Sequence, residues 1–303
     1  MLPHKAMYNF TTSRSALALV LAAGLAAAAC GKKEDTAPVQ GSVALTLSRQ
    51  RVALGSPVEI TYKFTVAVDA GSLGARKVFV HFLDADGEQM WTDDHDPPTP
   101  TTAWKPGQTI EYTRTVFAPV YPYVGPTRIV AGLYDTASGD RVRLGGTDTG
   151  GRSYEVAQFE LLPQTENVFL IFKDGWHAVE SAADNSMVEW QWTKKEATLA
   201  FRNPRRDSVL YFQADNPGKA ASAATQVELR LGEQVLDTVK LAPDAPVHRI
   251  PLPAAALGTG DMVEIRLVVD QTFVPALEPG AASNDPRELG ARVFHAFVQP
   301  QGS

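Results

Sequence analysis

The 303 residues include one cysteine, Cys30, so no intramolecular disulfide can staple this chain and its stability must come from packed apolar cores. No apolar run reaches the roughly 20 residues that a helix needs to cross a bilayer core. The longest, Ala16–Ala29, stops at fourteen. Basic residues are not in excess: 28 Lys and Arg stand against 34 Asp and Glu, a formal charge of −6, which argues against nucleic acid as a partner. HExxH, CxxC and GxSxG are missing, as are histidine pairs at helical spacing, so no zinc-ligand series and no nucleophile elbow is present. These absences lead to the expectation of no metal, no cofactor and no catalytic residue.

What is present begins with an amino-terminal pattern. Lys5 and Arg14 form a positive region, Ala16–Ala29 an apolar one, and small residues precede the break, as in a secretory signal peptide. Leu25-Ala26-Ala27-Ala28-Ala29-Cys30-Gly31 resembles the lipobox of bacterial lipoproteins, with Ala27 where that family usually has leucine. The resemblance implies cleavage after residue 29, a lipid on Cys30, and export to a membrane-anchored site. Gly31 in second position implies the outer membrane. Cleavage would remove Lys5 and Arg14 and no acid, taking the charge from −6 to −8. Several acyl chains, at about 0.8 kcal/mol per buried methylene, would hold such a protein on the membrane. Residues 30–41 are polar and carry Pro38 and Gly41, the composition of a tether.

From Val43 onward the pattern has period two. Val58, Ile60, Tyr62, Phe64 and Val66 alternate with Glu59, Thr61, Lys63 and Thr65, which predicts a strand with one wet face. Similar runs occur at 43–47, 77–83, 88–92, 109–117, 128–134, 141–144 and 154–161, with Asp84-Ala85-Asp86-Gly87 as a hairpin turn rather than a calcium loop. Seven or eight short strands without an amphipathic helix predict an immunoglobulin-like β-sandwich over 42–162. Beyond Pro163–Asn167, runs at 168–173, 187–193, 196–201, 208–214, 226–231, 233–241, 248–252, 262–269 and 291–299 predict a second sandwich over 167–300, nearer a jelly roll in strand number. The fold class is therefore all-β, two tandem sandwiches.

The five tryptophans all fall between residues 91 and 192. Trp190 and Trp192 are two apart in a strand and must point to one face, either as core plugs or as a flat stacking platform. A tryptophan ring suits the apolar face of a pyranose, and neighbouring carboxylates and arginine suit its hydroxyls.

Residues 172–192 (Phe-Lys-Asp-Gly-Trp-His-Ala-Val-Glu, then Val-Glu-Trp-Gln-Trp followed by Thr193) and Asn284-Asp285-Pro286-Arg287-Glu288-Leu289-Gly290 resemble a β-sandwich module found beside bacterial glycosyltransferases. His177 stands where that pattern more often has an aromatic residue. The first sandwich resembles an envelope-facing domain of membrane glycosyltransferases, through Val78–Asp84, Asp96–Thr101, Trp104–Gly107 and Gly132–Asp135. The resemblance implies a binding role. Its candidate ligand residues are Trp176, His177, Glu180, Trp190, Trp192, Asp285 and Arg287. In one reading Trp176 and either Trp190 or Trp192 stack a sugar, while Glu180, Asp285 and Arg287 hold its hydroxyls. In the other, Arg287 pairs with Glu180 or Asp285 and latches the last strand to the first. Trp104 likewise either caps the first domain or stands exposed. The function expected is a non-catalytic envelope lipoprotein, its partners being the membrane through its lipid and polysaccharide. A scaffold contacting envelope proteins and a glycan hydrolase are the alternatives.

Overall fold

The computed structural model describes residues 35–183, 185, 188–218, 225–278, 280 and 283–302. The signal-peptide pattern and Cys30 lie outside the described residues. Val39–Ser303 form one compact unit.

The amino-terminal half contributes β1 (Gly41–Leu47), β2 (Arg51–Ala53), β3 (Pro57–Val66), β4 (Lys77–Leu83), β5 (Gln89–Thr92), β6 (Thr109–Phe117), β7 (Gly125–Tyr134), β8 (Thr147–Asp148) and β9 (Tyr154–Leu162). Strands β1-β3-β6 make one sheet and β2-β9-β7-β4-β5 the other, with β8 attached to β9. The period-two pattern is realised directly. Val58, Ile60, Tyr62, Phe64 and Val66 of β3 are buried, and with Val78, Val80 and Phe82 of β4 they close one core between the sheets. Each such side chain contributes about 1.5–3 kcal/mol by leaving water. Asp84 accepts the amides of Asp86 and Glu88, each at 2.9 Å, so its carboxylate builds the hairpin turn between β4 and β5. Trp104 is buried: its Nε1 donates to the Thr99 carbonyl at 2.8 Å and its ring meets Phe64 at 5.2 Å, so it caps the core.

One expected strand is different. Residues 141–144 touch β7 only by a bridge between Tyr134 and Arg141. The reason is the outer face of β4, where Phe79 is buried; the Arg141 guanidinium lies 4.1 Å from the Phe79 ring centroid and covers it. Gly132 is needed beneath, since a Cβ there would meet the Phe79 ring at 2.6 Å.

The second half contributes β10 (Leu170–Phe172), β11 (Glu180–Ser181), β12 (Glu189–Trp192), β13 (Glu196–Arg202), β14 (Ser208–Asp215), β15 (Gln226–Leu231), β16 (Gln234–Lys240), β17 (Val247–Leu252), a single helical turn α1 (Ala254–Leu257), β18 (Met262–Val269) and β19 (Arg292–Pro300). They form two five-stranded sheets, β10-β13-β18-β15-β16 and β11-β12-β19-β14-β17. Leu199, Phe201, Ile265 and Leu267 of the first sheet pack with Leu210, Phe212, Ile250 and Val298 of the second in one core. The chain is therefore all-β, as its sequence pattern requires.

The two halves meet through polar contacts and one ring pair. Arg249 pairs with Glu59 at 2.8 Å, Asn167 donates to the Leu54 carbonyl at 2.6 Å, and Arg49 donates to Gln299 at 2.6 Å. His295 stacks on Phe117, with centroids 4.0 Å apart.

Candidate functional site

The site is built on the outer face of the sheet that holds β11, β12, β19 and β14. Trp192 pairs with Arg292 across β12 and β19, and Arg292 with Asp215 across β19 and β14, so all three share a face. Trp190, two residues along β12 and opposite Glu180 of β11, lies on it too. Val293 and Ala214, at the next positions, face the core instead.

A β-bulge then re-aims the following side chains. Ala214 opposes Val293, but Gln213 opposes His295, which leaves Phe294 without an opposite residue. Phe294 and His295 therefore both project outward, the usual use of a bulge beside a functional surface. Phe294 meets Trp190 edge-on at 6.2 Å. The Arg292 guanidinium lies 5.2 Å from the Trp190 ring centroid, 5.7 Å from Trp192 and 5.0 Å from Phe294, and is fixed by a bidentate pair with buried Asp215 at 2.8 and 2.6 Å. This cation over aromatic faces orders the rings.

The polar edge is made by the seven expected residues less two. Arg287 bridges Glu180 and Asp285: Nη1 donates to Glu180 Oε1 at 2.7 Å, while Nη2 donates to Asp285 Oδ2 at 2.7 Å and Nε to Oδ1 at 3.0 Å. Glu180 Oε2 accepts the Trp190 Nε1 proton at 3.3 Å. Hydrogen bonds from the Arg287 side chain and backbone hold the Asp285 carboxyl down at about 2, and the two carboxylates raise the Arg287 guanidinium. Arg287 is 36% exposed, Glu180 32% and Asp285 24%, so the network stands at the surface. His177 Nε2 donates to the Glu288 carbonyl at 2.8 Å, tying the loop before β11 to the segment before β19.

Two of the expected residues do not join the surface. Trp192 is 6% exposed and packs edge-on against Phe273 at 5.6 Å, so neither of its faces is offered to a ligand. Trp176 donates its Nε1 to the Thr198 carbonyl of β13 at 2.9 Å and packs against Phe172 and the second core. Of the expected pairings of Trp176 with Trp190 or Trp192, the buried Trp192 is excluded, and Trp176 itself is half-buried against the core of the second sandwich. The glycines and threonine of these motifs have a packing role. A Cβ on Gly175 would lie 1.9 Å from the Glu196 carbonyl oxygen, and one on Gly290 would lie 2.5 Å from that of Lys194. Thr193, fully buried between them, accepts the Ala291 amide on Oγ1 at 2.9 Å.

Arg292, Asp215 and Phe294 belong to the site but were not expected. The alternation Arg292-Val293-Phe294 opposite Trp190-Gln191-Trp192 is a signal that could have found the first and third; Asp215 comes from a strand 77 residues away. Among the described residues no group of three or more His, Cys, Asp or Glu side chains is arranged to hold a metal. No described helix is long and apolar enough to cross a membrane.

No family model and no curated protein matches this chain. Solved structures that match include β-glucuronidase of Bacteroides uniformis, at 8% identity and TM-score 0.29, covering 84% of this chain and 30% of that one. The collagen adhesin of S. aureus matches at 9% identity and TM-score 0.17, covering 86% and 96%. A CARDB domain from Pyrococcus furiosus matches at 14% identity and TM-score 0.24, covering 42% and 99%. The chain thus spans under a third of the glucuronidase's length. The β-sandwich architecture rests on the strands and sheets described above, and none of these matches bears on a ligand.

Proposed function

We propose that the outer face around Trp190 binds carbohydrate, and that the chain works as a non-catalytic binding module of the cell envelope, exported and anchored by a lipid on Cys30. The observation that carries this reading is the half-buried Trp190 ring, set between Arg292 and Phe294 and edged by Glu180, Arg287 and Asp285. Such a surface offers an apolar plane for a pyranose and polar groups for its hydroxyls. A guanidinium has five N–H donors. Glu180 takes one Nη1 hydrogen, and Asp285 takes one on Nη2 and shares that of Nε between its two oxygens, which leaves one hydrogen on each Nη without a partner among the described residues. Glu180, which accepts once on each oxygen, also retains acceptor lone pairs.

The same geometry argues for binding over hydrolysis. A glycosidase needs one carboxyl kept protonated near neutral pH as its acid. Here Arg287 drives the Asp285 carboxyl in the opposite direction, and both Glu180 oxygens are already engaged, by Arg287 and by the Trp190 indole. The lipid anchor rests on the lipobox resemblance at Leu25–Gly31.

Affinity electrophoresis through gels containing cell-surface polysaccharide tests the proposal. Wild type should be retarded and Trp190→Ala should migrate as in an empty gel, with an unchanged circular dichroism spectrum. Equal retardation of the two proteins would remove Trp190 from the site. Recovery of a protein partner by crosslinking in intact cells, with no retardation in any glycan gel, would favour the scaffold reading instead.

A further inference from the structure

Away from that face, a cavity of about 580 Å³ opens where the start of β10 meets the ends of β13 and β19. Its apolar wall includes Phe169, Ile171 and Met262, which are 55%, 51% and 48% exposed and rank among the largest exposed apolar side chains of the molecule. Their direction follows from the sheet register. Leu170 opposes Phe201, and Phe201 opposes Val263; Phe201 and Val263 are buried in the core. The alternate positions Ile171, Arg202 and Met262 therefore turn away from it.

Two arginines line the same cavity. Arg202 ends β13 and Arg206 follows it by four residues. Between them the chain is pinned: the buried Asn203 amide donates to the carbonyls of Leu257, Gly258 and Gly260 at 3.2, 3.1 and 2.9 Å, and its Oδ1 accepts the Arg205 amide at 2.9 Å. Arg205 turns to Asp261, 2.6 Å away. The guanidinium groups of Arg202 and Arg206 have no ion-pair or hydrogen-bond partner among the described residues. On a chain with a net charge of −6, two unneutralised arginines beside an exposed apolar pocket are out of keeping with the rest of the surface.

We propose that this cavity binds an amphiphilic anion: a single acyl chain lies along Phe169, Ile171 and Met262, and its carboxylate or phosphate head is held by Arg202 and Arg206. An apolar chain alone would explain the wall but not the arginines, and a small anion alone would explain the arginines but not the wall. Guanidinium groups match both carboxylate and phosphate oxygens, so a free fatty acid and a single-chain phospholipid share the required chemistry. The site is separate from the Trp190 face, and the proposal does not depend on it.

Calorimetric titration of the full body, residues 39–303, with dodecanoate and dodecyl phosphate below their micelle concentrations tests it; dodecanol and acetate serve as controls. Both long-chain anions should bind and compete with each other, dodecanol should bind at least tenfold more weakly, and millimolar acetate should give no heat. Arg202→Gln with Arg206→Gln should weaken dodecanoate at least tenfold, and Met262→Glu should do so by removing the apolar wall. All three positions are exposed, so the variants should keep the wild-type melting temperature, while Trp190→Ala should bind dodecanoate normally. If dodecyl phosphate binds and dodecanoate does not, the head group is a phosphate and the source is a phospholipid. Dodecanol binding as tightly as dodecanoate, or unaltered binding by the double arginine variant, would overturn the proposal.

Discussion

Each half of the molecule carries an arginine between acidic and aromatic groups, and the two arrangements differ in what they leave open. In the first sandwich, Asp93 is 11% exposed and accepts from Tyr62 Oη at 2.8 Å, Arg114 Nη2 at 2.9 Å and Arg114 Nε at 3.1 Å. His95 beside it is buried, with its ring nitrogens at 2.7 Å from the Asp93 carbonyl and 2.8 Å from Tyr112 Oη. Burial pushes both tyrosines up, and it pushes His95 down toward its neutral form. In the second sandwich, Arg287 meets two carboxylates at a surface and keeps donors free. The residue types are nearly the same. Arg114, at 38%, is as exposed as Arg287, so what separates the two networks is the burial of the carboxylates: Asp93 is more covered than Glu180 or Asp285.

The largest expected effect breaks the buried member of this pair. Asp93→Ala would leave the Tyr62 hydroxyl and the Arg114 charge without their partner, at a cost of about 3 kcal/mol in urea unfolding. Arg287→Ala, in a network open to water, should cost about 1 kcal/mol or less. Equal losses would erase the distinction. Next in size is binding: Arg287→Gln and Glu180→Gln should each weaken glycan retention several-fold, whereas Asp93→Asn should not alter retention in a protein that remains folded.

Acid should act on the surface network before it reaches any ligand. The folded-state value of Asp285 lies below its unfolded one, so its contribution is complete above about pH 4 and disappears as pH falls toward 2. Asp285→Asn should flatten that part of the stability curve. His295, at the junction of the halves, loses stability in the same direction for a different reason. Desolvation lowers it to about 4, so the unfolded chain takes up a proton first and stability declines as pH falls from about 6.5 to 4. By surface area, however, His295 is exposed, and contact with water limits the energy attached to this shift. An NMR titration of the His295 ring should therefore show a lowered midpoint together with a small change in stability.

Much of the fold was legible because strands longer than about six residues display their period. The buried and exposed positions of β3 follow the sequence alternation residue by residue. The two- and three-residue strands β2, β8 and β11 were not legible, since so few residues hold no period. Residues 141–144 misled for the opposite reason: they alternate, but Arg141 serves Phe79 instead of a neighbouring strand. At the site, Glu180, Arg287 and Asp285 were found through their motifs and do come together. The fates of Trp190 and Trp192 were not legible, because equal spacing gives them one face while only the loop bearing Phe273 decides which is covered. The bulge at Phe294 is likewise a property of pairing with β14, not of β19 alone.

The central claim is that Trp190 is the tryptophan a glycan touches. The most direct measurement follows the five indole Nε1–H signals by NMR while an oligosaccharide from the cell-surface polysaccharide is added. The Trp190 signal should shift and saturate, with Trp104 and Trp192 staying in place because their rings are buried. A saturating shift of Trp104 or Trp192 with Trp190 unmoved would contradict the account.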